Sequence, residues 1–99
     1  MVLLITRDDG TFFSATLRLQ GRLEGPWGDR VELECASLLG YFTEIVVDLS
    51  GVSGLDRDGL RALRRIRRRG VTLVGAEGSL PRLLEGEGIS VVRIATRTA

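Results

Sequence analysis

Two aspartates separated by one residue, Asp56 and Asp58, are the most chemically suggestive pair in this 99-residue sequence. Paired carboxylates are able to bind a cation or to act in acid–base chemistry. The usual helpers of such chemistry are missing, because the sequence has no histidine and all 14 basic residues are arginine. A single cysteine, Cys35, excludes an internal disulfide and a cysteine-based zinc site, and its place on an apolar stripe indicates a core residue. The residue types therefore predict no catalytic, cofactor or metal site.

A row of arginines follows the two aspartates. Its members are Arg57, Arg61, Arg64, Arg65 and Arg68 at helical spacing, with Arg67 and Arg69 beside them. Like charges at this spacing repel one another unless acidic groups pair with them. The row has three interpretations: a surface for an acidic partner protein, a surface for anionic lipid, or a solvated helix face. The net charge of only +1 argues against nucleic acid as a partner.

The apolar pattern predicts the first elements that position these residues. Residues 3–7 and the alternating residues 13–23 predict two strands that form a hairpin. The apolar spacing from Trp27 to Phe42 predicts a first helix, which Gly40 ends. Residues 44–49 predict a central strand, residues 50–54 a loop, and residues 56–69 a second helix.

The rest of the chain continues the alternation of strands and helices. Residues 71–74 and 91–95 predict two further strands, on either side of a short helix at residues 79–85. Ser79 is the predicted N-cap of this helix, and Pro81 lies in its first turn. The order β-β-α-β-α-β-α-β, with right-handed crossovers, predicts an α/β fold: a mixed sheet of four or five strands with about three helices packed on it.

The composition predicts one globular domain over residues 1–99, with its core at about 3–95. Hydrophobic residues make up 43% of the sequence and charged residues 27%, which is typical of such domains. No apolar run is long enough to span a membrane, and no signal-peptide pattern is visible. We therefore predict a cytoplasmic location without membrane insertion.

One edge of the predicted sheet is where a site should lie. The carboxyl ends of parallel strands share an edge, and binding sites of open α/β sheets gather there. Three junctions are expected to meet at this edge: residues 24–27, 55–58 and 76–79. Trp27 has two interpretations here, as an interface anchor or as part of the apolar face of the first helix.

The stretch from Ile45 to Leu60, IVVDLSGVSGLDRDGL, resembles the signature of the STAS domain. That fold is shared by bacterial anti-sigma factor antagonists and the tails of sulfate transporters. Residues 17–24, 71–75 and 79–84 are similar to the flanking parts of the family, so the resemblance covers roughly residues 3–94. It implies a single STAS-like domain that acts as a non-enzymatic protein-interaction module.

The resemblance also implies where a partner would bind. An anti-sigma kinase would dock on the junction at residues 56–59 and on the second helix, and its capture would free a sigma factor. The predicted partner-binding residues are Glu24, Trp27, Leu55, Asp56, Arg57, Asp58, Gly59, Arg61 and Arg64.

Asp58 departs from the family pattern. Many regulatory members carry a phosphorylated Ser or Thr directly before the Gly-Leu pair, and Asp58 occupies that position here. A carboxylate has no hydroxyl to accept a phosphoryl group, and its charge of −1 is smaller than the roughly −1.5 to −2 of a phosphoserine. Two interpretations follow: a constitutive module whose switch is absent or frozen, or an ordinary first-turn charge that stabilises the helix.

Three functions other than the antagonist are alternatives for this sequence. Some small STAS proteins are accessory subunits of ABC-type lipid transporters and hold the ATPase subunit. A homodimeric scaffold through the first, edge strand is a further alternative. The stretch at residues 55–60 also looks like the Asp-x-Asp-Gly motif of haloacid-dehalogenase-type phosphatases. That chemistry needs its first aspartate directly after a buried strand, whereas the predicted strand ends at Leu49, so we do not expect an enzyme.

Overall fold

A computed structural model describes residues 3–9, 12–76 and 78–94 of the chain. The elements in chain order are β1 (Leu4–Asp9), β2 (Ser14–Leu23), α1 (Trp27–Leu38), β3 (Glu44–Leu55), α2 (Arg57–Arg68), β4 (Thr72–Ala76), α3 (Ser79–Gly86) and β5 (Val92–Ile94). This is the predicted order of elements. The predicted final strand reached Ala95, which lies outside the described residues, as does Glu77 in the third junction.

The five strands form one mixed sheet in the order β1-β2-β3-β4-β5. β1 pairs with β2 in antiparallel fashion, and every other neighbouring pair is parallel. Each parallel pair is joined through one helix, and right-handed crossovers place all three helices on the same face. The α/β fold with a five-stranded mixed sheet and three helices is therefore confirmed.

The core lies between the sheet and the helix layer. Alternate residues of β2 are buried, whereas Arg18, Gln20 and Arg22 are exposed on the open face of the sheet. The helices contribute buried side chains at helical spacing, including Cys35, which is the predicted core residue. The largest buried side chains are Leu17, Leu19, Leu23, Val31, Ile45, Val47, Leu63, Ile66, Val71, Leu73, Leu84 and Ile89.

The predicted loop at residues 50–54 is wrong, because β3 continues without a break to Leu55. β2 runs alongside it, with Gln20 opposite Gly51 and Leu23 opposite Leu55, although the register shifts twice on the way. A Cβ at Gly51 would lie 2.8 Å from the Leu19 carbonyl oxygen, so glycine permits this close approach. The glycine- and serine-rich residues 50–54, which predicted a loop, therefore form part of an irregular parallel strand.

Two smaller predictions on the helices also differ from the structure. α1 ends at Leu38, so Phe42 lies beyond it, although Phe42 still packs against the core. Ser79 is the first helical residue of α3 and not its cap; Gly78 occupies the N-cap position, with no side-chain cap hydrogen bond.

Candidate functional site

The carboxyl ends of β2, β3 and β4 lie at one edge of the sheet, which brings the junctions together as predicted. Leu23 pairs with Leu55 at the ends of β2 and β3, and the Asp56 amide donates to the Leu23 carbonyl oxygen at 3.4 Å. The described part of the third junction also reaches this edge. Ser79 lines a recess of about 250 Å³ together with Leu55.

Asp56 joins the first two junctions through both of its carboxylate oxygens. Oδ1 accepts from the Gly59 amide at 2.8 Å and caps α2, and Oδ2 accepts from the Gly25 amide at 2.9 Å. The Gly59 amide, followed by the Gly25 amide, holds the pKa of Asp56 below its usual range. The predicted site residue Asp56 therefore fixes the starts of α1 and α2 relative to each other.

A phosphatase was not expected because the strand before the Asp-x-Asp-Gly motif was predicted to end at Leu49. This reason is wrong, because β3 runs to Leu55 and Asp56 directly follows it. Its two oxygens are, however, engaged by backbone amides in a capping arrangement. Within residues 3–9, 12–76 and 78–94, no group of three or more acidic or cysteine side chains converges to hold a metal ion. Burial raises the pKa of the Cys35 thiol to about 12, so this thiol stays protonated and unreactive.

Gly59 is required where α2 starts. A Cβ at this position would lie 2.2 Å from the Leu23 carbonyl oxygen, which belongs to the backbone and has little freedom to move. The first turn of α2 therefore packs directly on the end of β2. Asp58 and Leu60, on either side of Gly59, take their positions from this contact.

Asp58 is exposed in the first turn of α2 and lines a cleft of about 400 Å³. The cleft lies between the starts of the two helices and is lined by Gly25, Pro26, Asp29, Asp58, Arg61 and Arg65. A negative charge at this end of a helix is favoured by the helix dipole. The structure thus brings Asp58 and Arg61 into one polar cleft at the sheet edge.

The arginine row is not a uniform free face. Arg65 donates to Glu32 at 2.8 Å through Nε and to Asp29 at 2.9 Å through Nη2, and Arg69 donates to Glu32 at 3.2 Å. The Arg65 hydrogen bond, reinforced by Arg69, lowers the pKa of Glu32. These contacts join α1 to α2, so this part of the row is structural.

The three predicted site arginines of α2 differ in their surroundings. Arg64 reaches the loop after α3, where it donates to the Glu87 carbonyl oxygen at 3.0 Å. Arg57 and Arg61 are exposed and form no ion pair with a described residue. Of the three predicted arginines of the site, Arg57 and Arg61 are therefore the two whose charges face solvent.

Of the nine predicted site residues, only Asp58 and Arg61 line the polar cleft, and Glu24 and Trp27 are among those that lie outside it. Glu24 pairs with Arg22 at 2.7 Å, and this hydrogen bond lowers the pKa of Glu24. Trp27 lines a separate apolar groove with Pro26, and Pro26 borders both recesses. Asp29 also lines the polar cleft but was not predicted from the sequence, where its only signal is its position in the first turn of α1.

The comparisons with known proteins fit this architecture. The chain superposes on the unphosphorylated anti-sigma factor antagonist SpoIIAA with a TM-score of 0.65 and 14% identity, over 95% of this chain and 90% of that chain. The chain has the SpoIIAA-like fold. A putative anti-sigma factor antagonist from Thermotoga maritima gives a TM-score of 0.63 at 14% identity, covering 91% of this chain and 86% of that one.

The same SpoIIAA-like fold also occurs inside a much larger protein. The murine Slc26a9 anion transporter matches 84% of this chain with 16% of its own length, at a TM-score of 0.60 and 15% identity. No protein-family model and no curated protein sequence matches the chain. Among the described residues, no helix is long and apolar enough to cross a membrane.

Proposed function

We propose that this chain is a non-enzymatic protein-interaction module that works as an anti-sigma factor antagonist. The observation that carries the proposal is the exposed Asp58 at the rim of the polar cleft, in a chain with the SpoIIAA-like fold. SpoIIAA itself has been solved in unphosphorylated and phosphorylated forms. We therefore propose that the negative charge at the start of α2 controls partner binding in this chain.

The proposed roles follow from exposure and charge. Asp58 supplies a permanent carboxylate in the polar cleft, and Arg57 and Arg61 supply cations that are free to pair with acidic groups of the partner. Asp56 and Gly59 hold the first turn of α2 in place without contacting the partner through their side chains. The partner is an anti-sigma factor of the kinase type, and its capture releases a sigma factor.

Asp58 leads us to expect binding that phosphorylation does not switch off. The test incubates the purified chain with an anti-sigma kinase from the same organism, ATP and magnesium, and follows intact mass and complex formation by calorimetry. Wild type and Asp58→Ala gain no phosphate and keep the complex, because neither offers a hydroxyl at this position. Asp58→Ser regains the acceptor, gains one phosphate and leaves the complex.

The exposed serines of β3 serve as internal controls in the same experiment. Ser50 and Ser53 are solvent-accessible hydroxyls close to the junction, so peptide mapping of the wild-type chain must find them unmodified. A phosphate on either serine, or on Asp58, would contradict the proposal that phosphorylation does not control binding. Much tighter binding by Asp58→Ala than by wild type would show instead that the carboxylate blocks the kinase.

The occurrence of this fold inside a membrane transporter favours a second candidate. In that role the chain is an accessory subunit of an ABC-type lipid transporter and binds its ATPase subunit. Affinity capture with wild type and with Asp58→Arg as baits separates the candidates. Recovery of a sigma-regulating kinase by the wild-type bait but not by Asp58→Arg supports the anti-sigma factor antagonist. Recovery of an ABC ATPase supports the transporter subunit, and recovery of the chain alone supports a homodimeric scaffold.

Neither proposed function, antagonist or transporter subunit, involves catalysis by this chain. We expect the purified chain to release no phosphate from p-nitrophenyl phosphate in the presence of magnesium, since both Asp56 oxygens accept backbone hydrogen bonds. Magnesium-dependent release that Asp56→Asn abolishes would identify a phosphatase.

A further inference from the structure

A recess opens beside the projecting end of β3. Within the described residues, the pairing of β4 with β3 covers Val46 to Asp48, whereas β3 continues to Leu55 with β2 alongside it. The last residues of β3 therefore extend past the pairing with β4. A recess of about 250 Å³ lies between these last residues and the first half of α3.

The wall of this recess is mainly apolar. Val52 and Leu55 of β3 and Leu80 of α3 are half-buried, and each packs against the core with part of its surface. Leu83, one turn farther along α3, also lines the recess and is 51% exposed. Folding of the chain therefore leaves apolar surface uncovered here, and an apolar patch within a polar surface is typical of an interaction site.

The recess adjoins the predicted docking junction on the side away from the polar cleft. Leu55 lines the recess, and Asp58, three residues later, lines the polar cleft. α1 borders the cleft and α3 borders the recess, so the first turn of α2 lies between the two. A protein that covers residues 56–59 therefore also reaches the recess.

Size and charge indicate what fits the recess. Its volume is below the roughly 300 to 1,000 Å³ of small-molecule sites, which favours a single side chain over a whole ligand. Two exposed arginines lie close in sequence to its lining: Arg57 follows Leu55 by two residues, and Arg82 precedes Leu83. Neither arginine forms an ion pair with a described residue. Their charges favour a partner surface with acidic groups around its apolar residue.

We propose that the recess receives an aliphatic side chain of the anti-sigma kinase, beside acidic residues of the kinase that pair with Arg57 and Arg82. This inference rests on the proposed function and extends its docking surface from α2 to α3. The aliphatic side chain holds the complex together, because anchors in desolvated pockets contribute most of the binding energy of an interface. The charged pairs at the rim mainly speed association.

Two leucines of similar exposure form a matched pair for calorimetry with an anti-sigma kinase from the same organism. Leu83→Asp places a charge in the recess and is expected to weaken the complex at least tenfold. Leu4→Asp makes the same change on the open face of the sheet, where Leu4 is 55% exposed opposite Gln20, and is expected to bind like wild type. Leu83→Met keeps an apolar side chain of similar volume and is expected to retain most of the affinity.

Rates distinguish the apolar anchor from the charged rim. In surface plasmon resonance with the same kinase, Leu83→Asp is expected mainly to speed dissociation, because it removes a contact of the formed complex. Arg57→Glu is expected mainly to slow association, with a loss that shrinks as salt is added.

Protection of an introduced thiol reports contact at the recess directly. Cys35 is the only cysteine of the chain, and its burial keeps it unreactive, so iodoacetamide modifies Leu83→Cys at the new position alone. Saturating kinase is expected to slow this alkylation, as followed by intact mass. Leu4→Cys is the control and is expected to react at the same rate with and without kinase.

The outcomes separate this inference from the function on which it rests. Absence of a complex between wild type and the kinase would overturn both. A complex that wild type and Leu83→Asp form with equal affinity, or in which Leu83→Cys stays reactive, would overturn the inference alone. Protection of Leu83→Cys that grows with the concentration of the chain by itself would assign the recess to a second copy. Circular dichroism confirms that each variant is folded before it is measured.

Discussion

At the scale of single residues, Gly59 illustrates how a fold can depend on a missing side chain. Replacement by alanine would place Cβ 2.2 Å from the Leu23 carbonyl oxygen, so either α2 or the end of β2 must move. We expect Gly59→Ala to lower the free energy of unfolding by about 2 kcal/mol, as measured by urea denaturation. The displaced α2 should also carry Asp58 away from the polar cleft.

The control for Gly59→Ala is a helical glycine with open space around it. Nothing lies within 4 Å of a Cβ built at Gly86, the last residue of α3. Gly86→Ala is therefore expected to change the free energy of unfolding by no more than about 0.5 kcal/mol. Equal losses for the two variants would show that the contact with Leu23 does not restrict this position.

The residue scale also shows what the sequence was able to predict about the site. Asp58 could be located because it lies inside a short motif between a strand and a helix, where the neighbours in sequence define the setting. The hydrogen bond that Asp56 accepts from the Gly25 amide could not be predicted, because Gly25 is 31 residues away in the sequence. Trp27 was predicted either as an interface anchor or as part of the apolar face of the first helix; it packs partly buried against the core and lines a separate recess beside β1.

At the scale of elements, α1 and α2 are joined by a charged cluster consisting of Asp29, Glu32, Arg65 and Arg69. The Glu32 side chain is only 15% exposed and accepts hydrogen bonds from both arginines. We expect Glu32→Gln to lower the free energy of unfolding by about 1 kcal/mol, because one guanidinium loses its charged acceptor. Thermal and urea denaturation measure this change.

Glu34 supplies the matched control on the same helix. Its ion pair with Arg30 is 3.4 Å long and lies on the exposed surface of α1. Glu34→Gln is therefore expected to cost no more than about 0.3 kcal/mol. If Glu34→Gln were as destabilising as Glu32→Gln, the cluster between the helices would have no special role.

Elements with a regular pattern were predictable, and the irregular strand was not. The alternation in β2 and the helical spacing in α2 each bury one face, so periodicity defines both elements. Residues 50–54 of β3 are rich in glycine and serine, which in isolation favours a loop. They form a strand because β2 runs parallel to them through two shifts of register, and that constraint exists only in the assembled sheet.

At the scale of the whole molecule, the arginine row is balanced in part by acidic residues of the same chain. The chain has a net charge of only +1, and acidic residues of α1 and of the loop after α3 pair with three of the seven arginines in the row, Arg64, Arg65 and Arg69. The sequence left three interpretations of the row open: a surface for an acidic partner protein, a surface for anionic lipid, or a solvated helix face. Arg57 and Arg61 are exposed next to the predicted docking edge, whereas Arg67 and Arg68, which are also exposed, lie in the last turn of α2 at its other end.

Stability of the whole molecule should depend on pH through its engaged carboxylates. The folded chain holds the pKa values of Asp56 and Glu32 below their usual range, so the unfolded chain binds protons more readily. Their stabilising contribution is complete above about pH 5 and is lost as the pH falls through the lowered folded values. Urea denaturation at a series of pH values should therefore show a falling free energy of unfolding below about pH 4. Asp56→Asn should flatten this fall, because the amide keeps one acceptor for the cap and no longer titrates. Parallel curves for wild type and Asp56→Asn would show that the bonds to Gly25 and Gly59 do not couple this carboxylate to folding.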